Sequence, residues 1–150
     1  MSFCIVDSPI GNLFIKETDS TISLLNITLE RGSEPTAPFL KQVAHEISEY
    51  FRGERETFSF KVSPAGTEFQ KKVWSELQKI PLGQVKSYKE IAIELGAPNS
   101  ARAVGTAIGK NPILLRIPCH RVITSQRKLG GFSAGVDKKR SLLNLEKVYI

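Results

Sequence analysis

The sequence predicts a mixed α/β fold of the α+β kind, with a small sheet-plus-helix lobe over residues 1–65 and a mostly helical lobe over residues 66–150. Three observations predict it. Residues 3–29 alternate short apolar runs with turn residues, the pattern of an antiparallel sheet. After residue 66, two helix-opening motifs each precede apolar residues at helical spacing. Between the two parts the charge changes sign. Residues 1–70 hold six Lys and Arg against ten Asp and Glu, a net −4, while residues 71–150 hold 15 against five, a net +10. A length of 150 residues, 41% apolar and 24% charged, suffices for one main core and excludes a disordered or collagenous chain. No apolar run approaches the roughly 20 residues of a membrane-spanning helix, so a cytoplasmic protein with no membrane partner is expected.

Residues 3–6 (FCIV), 12–16 (NLFIK) and 22–29 (ISLLNITL) form the expected sheet, separated by SPIGN and TDST. Phe39, Leu40, Val43, Ile47, Tyr50 and Phe51 then mark one face of a helix that Gly53 can end. Residues 54–66 (ERETFSFKVSPAG) predict a further strand and a connector, placing the lobe boundary near residues 63–66.

The second lobe opens on the capping box Thr67-x-x-Gln70, followed by Phe69, Val73, Trp74, Leu77 and Ile80 until Pro81 and Gly83 stop the helix. Trp74 belongs to the core. A second box, Ser87-x-x-Glu90, starts a short helix ending at Gly96, and a third helix runs from about Ser100 to Ile108. Helix, tight turn, helix is the signature of a helix-turn-helix, and also of helical hairpins that never meet DNA. The last of these helices presents Ala101, Ala103, Gly105, Thr106 and Ala107, leaving Arg102 as its one long side chain. Pro112 and Pro118 cannot donate to a sheet ladder, so residues 111–123 (NPILLRIPCHRVI) predict a buried irregular strand that holds Cys119 rigidly. LGGFSAG (129–135) is a Gly-rich loop. Asp137 caps a last helix running through Leu142, Leu143 and Leu145 to Glu146, with KKR (138–140) as a solvated first-turn face.

A thiol attacks as its thiolate, so a reactive cysteine needs a base or a positive field to lower its pKa. Cys119-His120-Arg121 offers both. On an extended strand, His120 would point away from the sulfur, so a bridging water or a backbone bend is required. Glu146 completes a Cys/His/acid relay if the last helix folds back. An inert core cysteine beside a chance histidine fits the same spacing, as does a Cys/His hydrolase. The net charge of +10 over residues 71–150 suggests a polyanionic partner for that part, nucleic acid being the commonest; a solubilising surface or a sequence-specific regulator are the alternatives. Cys4 is a packing residue and His45 a helix residue. Cys4, His45, Cys119 and His120 lack zinc-ligand spacing, so no metal is expected, and two cysteines form no disulfide framework.

IPCHRVI (117–123), preceded by RAVGTAIGKNP (102–112) and IPLGQVKSY (80–88), resembles the O6-alkylguanine-DNA alkyltransferases, also called methylated-DNA–protein-cysteine methyltransferases. The resemblance covers residues 67–148, and the first lobe resembles the family in the order of its elements. It implies a ribonuclease H-like first lobe and a winged-helix-like second one. The implied activity is irreversible, single-use transfer of an alkyl group from O6 of guanine, and O4 of thymine, in double-stranded DNA, by a monomer needing no cofactor. By the same resemblance, Cys119 is the acceptor, His120 the water-mediated base, Glu146 the orienting acid and Tyr88 the donor to the departing base. Asn111 is the hinge that supports the Cys119 segment. Arg102 is the finger that replaces an extruded nucleotide, with Ser100, Ala101, Thr106 and Arg121 also at the DNA in its minor groove. Pro118, Val122, Ser133 and Ala134 line the base pocket. The alternative within this resemblance is a noncatalytic lesion-binding helix-turn-helix protein.

Overall fold

The computed structural model describes residues 2–150 and divides into two compact units, Met1–Ala65 and Gly66–Ile150. In the first, β1 (Ser2–Val6), β2 (Leu13–Thr18) and β3 (Thr21–Ile27) form an antiparallel sheet in the order β1-β2-β3. Asp19 (φ 50°) and Ser20 (φ 60°) both take the left-handed conformation, as a two-residue hairpin that follows strand twist requires. Alternation turns Cys4, Leu13, Ile15, Ile22 and Leu25 inward, each 0% exposed. The helix α1 (Pro38–Phe51) buries Leu40, Val43, Ile47 and Tyr50 and starts with Pro38 at its first position, where a missing N–H costs nothing.

Residues 54–66 do not form the expected strand. They meet β3 through an isolated parallel bridge between Ile22 and Val62 and through a hydrogen bond between the Thr21 and Ser63 hydroxyls. Side chains set the path of this segment in place of a ladder. Glu46 of α1, 2% exposed, accepts bonds from the Ser59 amide at 2.8 Å and the Ser59 hydroxyl at 2.5 Å and pairs with Arg55 at 3.5 Å. Phe58 packs on Tyr50 and Phe60.

The second unit holds α2 (Glu68–Leu77), β4 (Lys86–Ser87), α3 (Tyr88–Glu94), α4 (Ala101–Gly109), β5 (Val122–Ile123) and α5 (Val136–Leu145). Both capping boxes close, with Thr67 and Ser87 each accepting from the amide three residues on and receiving the return bond from Gln70 and Glu90. Trp74 is 1% exposed and donates from Nε1 to the Ala107 carbonyl at 2.9 Å, tying α2 to α4. Gly66 permits this, because a Cβ there would lie 2.6 Å from the indole. Gly96, at φ 75°, makes the α3–α4 turn.

At α5 the N-cap is Gly135, not Asp137. Gly135 adopts φ 110° and the helix begins at Val136, so Asp137 lies in the first turn, where its charge meets the positive end of the helix dipole. The other end closes with Lys147 at φ 65°, its amide bonded to the Asn144 carbonyl and that of Val148 to the Leu143 carbonyl. Those paired bonds are a Schellman stop. It places Glu146 at the helix C-cap, facing the segment that carries Cys119.

Candidate active site

Residues 111–121 are not a strand but a chain of tight turns, and a real strand begins only at Val122, which pairs with β4 in parallel. The two prolines predict this outcome better than the apolar composition does. Leu115 has φ 70° and is spanned by a bond from the Arg116 amide to the Leu114 carbonyl at 2.8 Å. That is the rare, strained form of the γ-turn. Pro118, at φ −79° and ψ 65°, centres the relaxed mirror form, closed by the Cys119 amide on the Ile117 carbonyl. Cys119–Arg121 then forms one 3₁₀ turn, which supplies the backbone bend that the sequence left open.

Asn111, 4% exposed, clamps the turns from inside. Its Nδ2 donates to the Ile117 carbonyl at 2.7 Å and its Oδ1 accepts from the Ile113 amide at 2.9 Å. Its side chain also favours the Cys119 thiolate.

Cys119 opens into a cavity of about 420 Å³ lined by Tyr88, Gly105, Ile108, Gly109, Gly131, Phe132 and Ser133. This is large enough for a small planar ligand and mostly apolar, as binding sites are. Two glycines fix the Tyr88 ring. A Cβ on Gly130, which sits at φ 72°, would lie 3.0 Å from the phenol oxygen, and one on Gly105 of α4 would meet the ring at 3.6 Å. Of the residues expected around the pocket, Ser133 lines it. Pro118 and Val122 are buried beside Cys119, and Ala134 is half-buried in the loop before α5.

Behind the cysteine, His120 is 1% exposed and its Nε2 lies 2.7 Å from Glu146 Oε2. A carboxylate only accepts, so Nε2 carries a proton, and on a neutral ring Nδ1 then carries a lone pair. Among the described residues, Nδ1 is the one buried side-chain polar atom without a hydrogen-bond partner. Burial lowers the His120 pKa; Glu146 opposes this, while Arg121 and Lys139 add to it. Burial alone would raise Glu146, yet bonds and charge from His120 and Arg121 outweigh it and hold the carboxyl at about 2.

Arg121 does not face solvent, contrary to its expected place at the DNA. It is 7% exposed, with Nε on Glu146 Oε1 at 2.8 Å, Nη2 on Oε2 at 3.1 Å and Nη1 on the Ile80 carbonyl at 2.6 Å. The 3₁₀ turn swings it inward, and all its nitrogens are engaged.

The solvated KKR face is likewise corrected, because Lys139 is 0% exposed. Its Nζ donates to the carbonyls of Val122 (2.6 Å) and Gly131 (3.1 Å) and sits 5.8 Å from the centre of the Tyr88 ring. Burial pulls its pKa down to about 8, and the Cys119 thiolate would pull it back up. Burial pushes the Cys119 thiol up to about 11, with Asn111, Lys139 and the backbone amides of Cys119 and His120 acting against it. Tyr88 is raised by burial and by the Cys119 charge, so its phenol keeps the proton. The resting site therefore holds a neutral thiol, a neutral phenol and two buried cations, Lys139 and the Arg121 that Glu146 pairs. The signal for Lys139 lay in the sequence. Lys139, Leu142, Leu143 and Glu146 stand at i, i+3, i+4 and i+7 on one helical face.

Two family models account for nearly the whole chain: 6-O-methylguanine DNA methyltransferase, DNA binding domain, over residues 68–148, and 6-O-methylguanine DNA methyltransferase, ribonuclease-like domain, over residues 1–64. The chain belongs to the 6-O-methylguanine DNA methyltransferase family. It is 40% identical over 154 residues to a methylated-DNA–protein-cysteine methyltransferase of Methanosarcina barkeri, covering 98% of both chains. Its fold matches that of Mycobacterium tuberculosis OGT in complex with DNA at a TM-score of 0.89 and 42% identity, over 97% of this chain and 92% of that one. A more distant match, to 57% of this chain and 82% of the other at a TM-score of 0.52 and 36% identity, is S. pombe Atl1 in complex with damaged DNA containing O6-carboxymethylguanine.

In this member of the methyltransferase family, α4 separates the cavity from an open groove. Gly105, Ile108 and Gly109 face the cysteine. Arg102, Ala103 and Thr106 line the groove together with Ser100, Asn99 and the start of α2 (Thr67, Phe69, Gln70). Arg102 is exposed, Ser100 and Ala101 are half-buried, and Thr106 bonds back to the Arg102 carbonyl at 3.1 Å. Phe69, one of the apolar residues at helical spacing in α2, is 37% exposed at the rim of this groove. Among the described residues, no group of three His, Cys, Asp or Glu could hold a metal.

Proposed function

We propose that this methyltransferase repairs O6-alkylguanine, and O4-alkylthymine, in double-stranded DNA by accepting the alkyl group on Cys119, as a monomer that acts once. The observation that carries the reading is the single cavity containing Cys119 and Tyr88, backed by a histidine whose Nδ1 lone pair is unengaged. The thiol proton passes to His120 Nδ1 through a bridging water, and Glu146 steadies the resulting imidazolium. Lys139 supports the sulfur anion, which attacks the alkyl carbon. The carbon–sulfur bond forms as the carbon–oxygen bond breaks, and the electron pair returns to guanine. Tyr88 donates a hydrogen bond to the base as this charge develops, and the base takes up one proton, leaving guanine and a thioether. A thioether lies off the ladder that cellular reductants reverse.

A base stacked in a duplex is out of reach of a buried thiol, so the nucleotide must be extruded, at a cost of a few kcal/mol. Arg102, exposed on α4 beside small residues, suits the gap left in the minor groove. Lysines and arginines of the basic unit supply phosphate contacts without sequence preference. The Atl1 similarity supports a lesion-binding alternative; the cysteine in the cavity favours transfer.

Incubated with a duplex carrying O6-methylguanine, the protein should gain one methyl group per molecule, on the peptide containing Cys119, by intact and peptide mass. Cys119→Ala should bind the duplex and gain none. Methyl on Cys4, or binding without transfer, would overturn the assignment. Arg102→Ala should slow repair of the duplex roughly 10- to 100-fold, the rate equivalent of that extrusion cost, and leave reaction with free O6-methylguanine base nearly unchanged. Equal losses on both would make Arg102 a residue of the fold.

A further inference from the structure

Glu146 is shared between His120 and Arg121. Its Oε2 accepts from both His120 Nε2 and Arg121 Nη2, and its Oε1 accepts from Arg121 Nε. A buried carboxylate facing only an imidazole attracts a proton onto it, because opposite charges in a poorly solvated site interact strongly. A resting imidazolium has no lone pair and cannot act as a base. The bidentate guanidinium changes that balance, since it already neutralises the carboxylate. The groups facing His120 are Glu146 and Lys139 from α5 and its end, and Cys119 and Arg121 from its own turn, with Tyr88 of α3 across the cavity from the cysteine. With a neutral thiol their formal charges are one negative and two positive, so a further proton on His120 is unfavourable. When the thiol ionises, its negative charge compensates that proton. The proton is then accepted only as the nucleophile forms.

We propose that Arg121 is a positioning residue for this reaction, sharing the Glu146 carboxylate so that His120 rests uncharged with its proton on Nε2 and its Nδ1 ready to accept. The Nη1 bond to the Ile80 carbonyl anchors the guanidinium to the turn after α2. That carbonyl precedes Pro81, in a turn beyond the helix end where it needs a donor from outside. The inference rests on the repair reading above, in which His120 is the base.

The sequence contains two histidines, so NMR of the protein with ¹³C,¹⁵N-labelled histidine resolves both rings, assigned with His45→Gln. In the wild type, His120 should be the neutral Nε2–H tautomer at pH 7; an imidazolium there overturns the proposal without any variant. Arg121→Gln should raise the His120 midpoint by about one pH unit or more and move the acid limb of single-turnover methyl uptake to higher pH by the same interval. Arg121→Lys, which keeps the charge and gives up the fork, should shift both less, and it carries the test if Arg121→Gln does not fold. A folded variant that transfers more slowly at every pH, with the His120 midpoint unmoved, would reduce Arg121 to a packing residue. If wild-type protein fails to take up methyl while the midpoint shifts as expected, the repair reading falls and the charge relation stands.

Discussion

Lys139→Met should slow methyl uptake by Cys119 roughly 10- to 1000-fold, the loss expected when an opposite charge within a few ångströms of an ionising group is removed. The stability of the second unit should change little. Burying the ammonium moves its pKa from 10.5 to about 8, a cost of about 3 kcal/mol below pH 8, which the variant recovers. Against that, the carbonyls of Val122 and Gly131 lose their donor, at about 1–3 kcal/mol each. The pH dependence separates this account from damage to the fold. Lys139 loses its charge as pH rises through about 8, so the advantage of wild type over variant should be greatest below that pH and shrink above it. Stability carries the same signature. Between about 8 and 10.5 the unfolded chain holds the proton that Lys139 has released in the folded one, so wild-type stability should gain on the variant's as pH rises across this window, against the fall that the raised Cys4 and Cys119 thiols impose on both above about 9. Single-turnover rates and denaturation at several pH values check both, and a constant rate ratio from pH 6 to 10 would remove Lys139 from the chemistry.

Asn111→Ala should lower the stability of the second unit by about 2–4 kcal/mol, because the Ile113 amide is left buried without a partner, at about 1–3 kcal/mol, and the Ile117 carbonyl gives up one of its two hydrogen bonds and keeps that from the Cys119 amide, at about 1 kcal/mol. Against a typical total of about 5–15 kcal/mol, that is a large share. Denaturation followed by fluorescence isolates it, since the one tryptophan of the sequence, Trp74, lies in that unit. The sulfur also loses the Asn111 side chain that favours its anion, so alkylation of Cys119 by iodoacetamide should slow in the folded variant. Unchanged stability would mean that the γ-turns hold without the clamp.

Features set by neighbouring residues were legible in the sequence. The two capping boxes, the stop at Gly96 and the apolar stripe of α1 depend on contacts within a few residues, and each forms where its pattern lies. The Cys119 relay was legible as a list of residues but not as geometry, because Glu146 meets His120 26 positions away only if α5 doubles back. Arg121 and Lys139 were misplaced for one reason: a charged residue is expected in water unless a partner is known, and their partners, Glu146, Ile80, Val122 and Gly131, are remote or are backbone carbonyls with no sequence signature. The strand expected over residues 54–66 fails because its pattern fits an extended chain held by Glu46 as well as it fits a sheet edge. In residues 111–121 the apolar content suggested a strand where the proline positions dictated turns.

The end of α5 bears on how this protein can be handled. Glu146 is held by a helix stop whose Val148, with Ile150 beyond it, packs on Ile123, Leu129 and Leu143, so the last few side chains wedge the acid against the imidazole. A polar substitution at Val148 or Ile150 would loosen that wedge, and a preparation of such a variant would under-count competent molecules in any titration with damaged DNA.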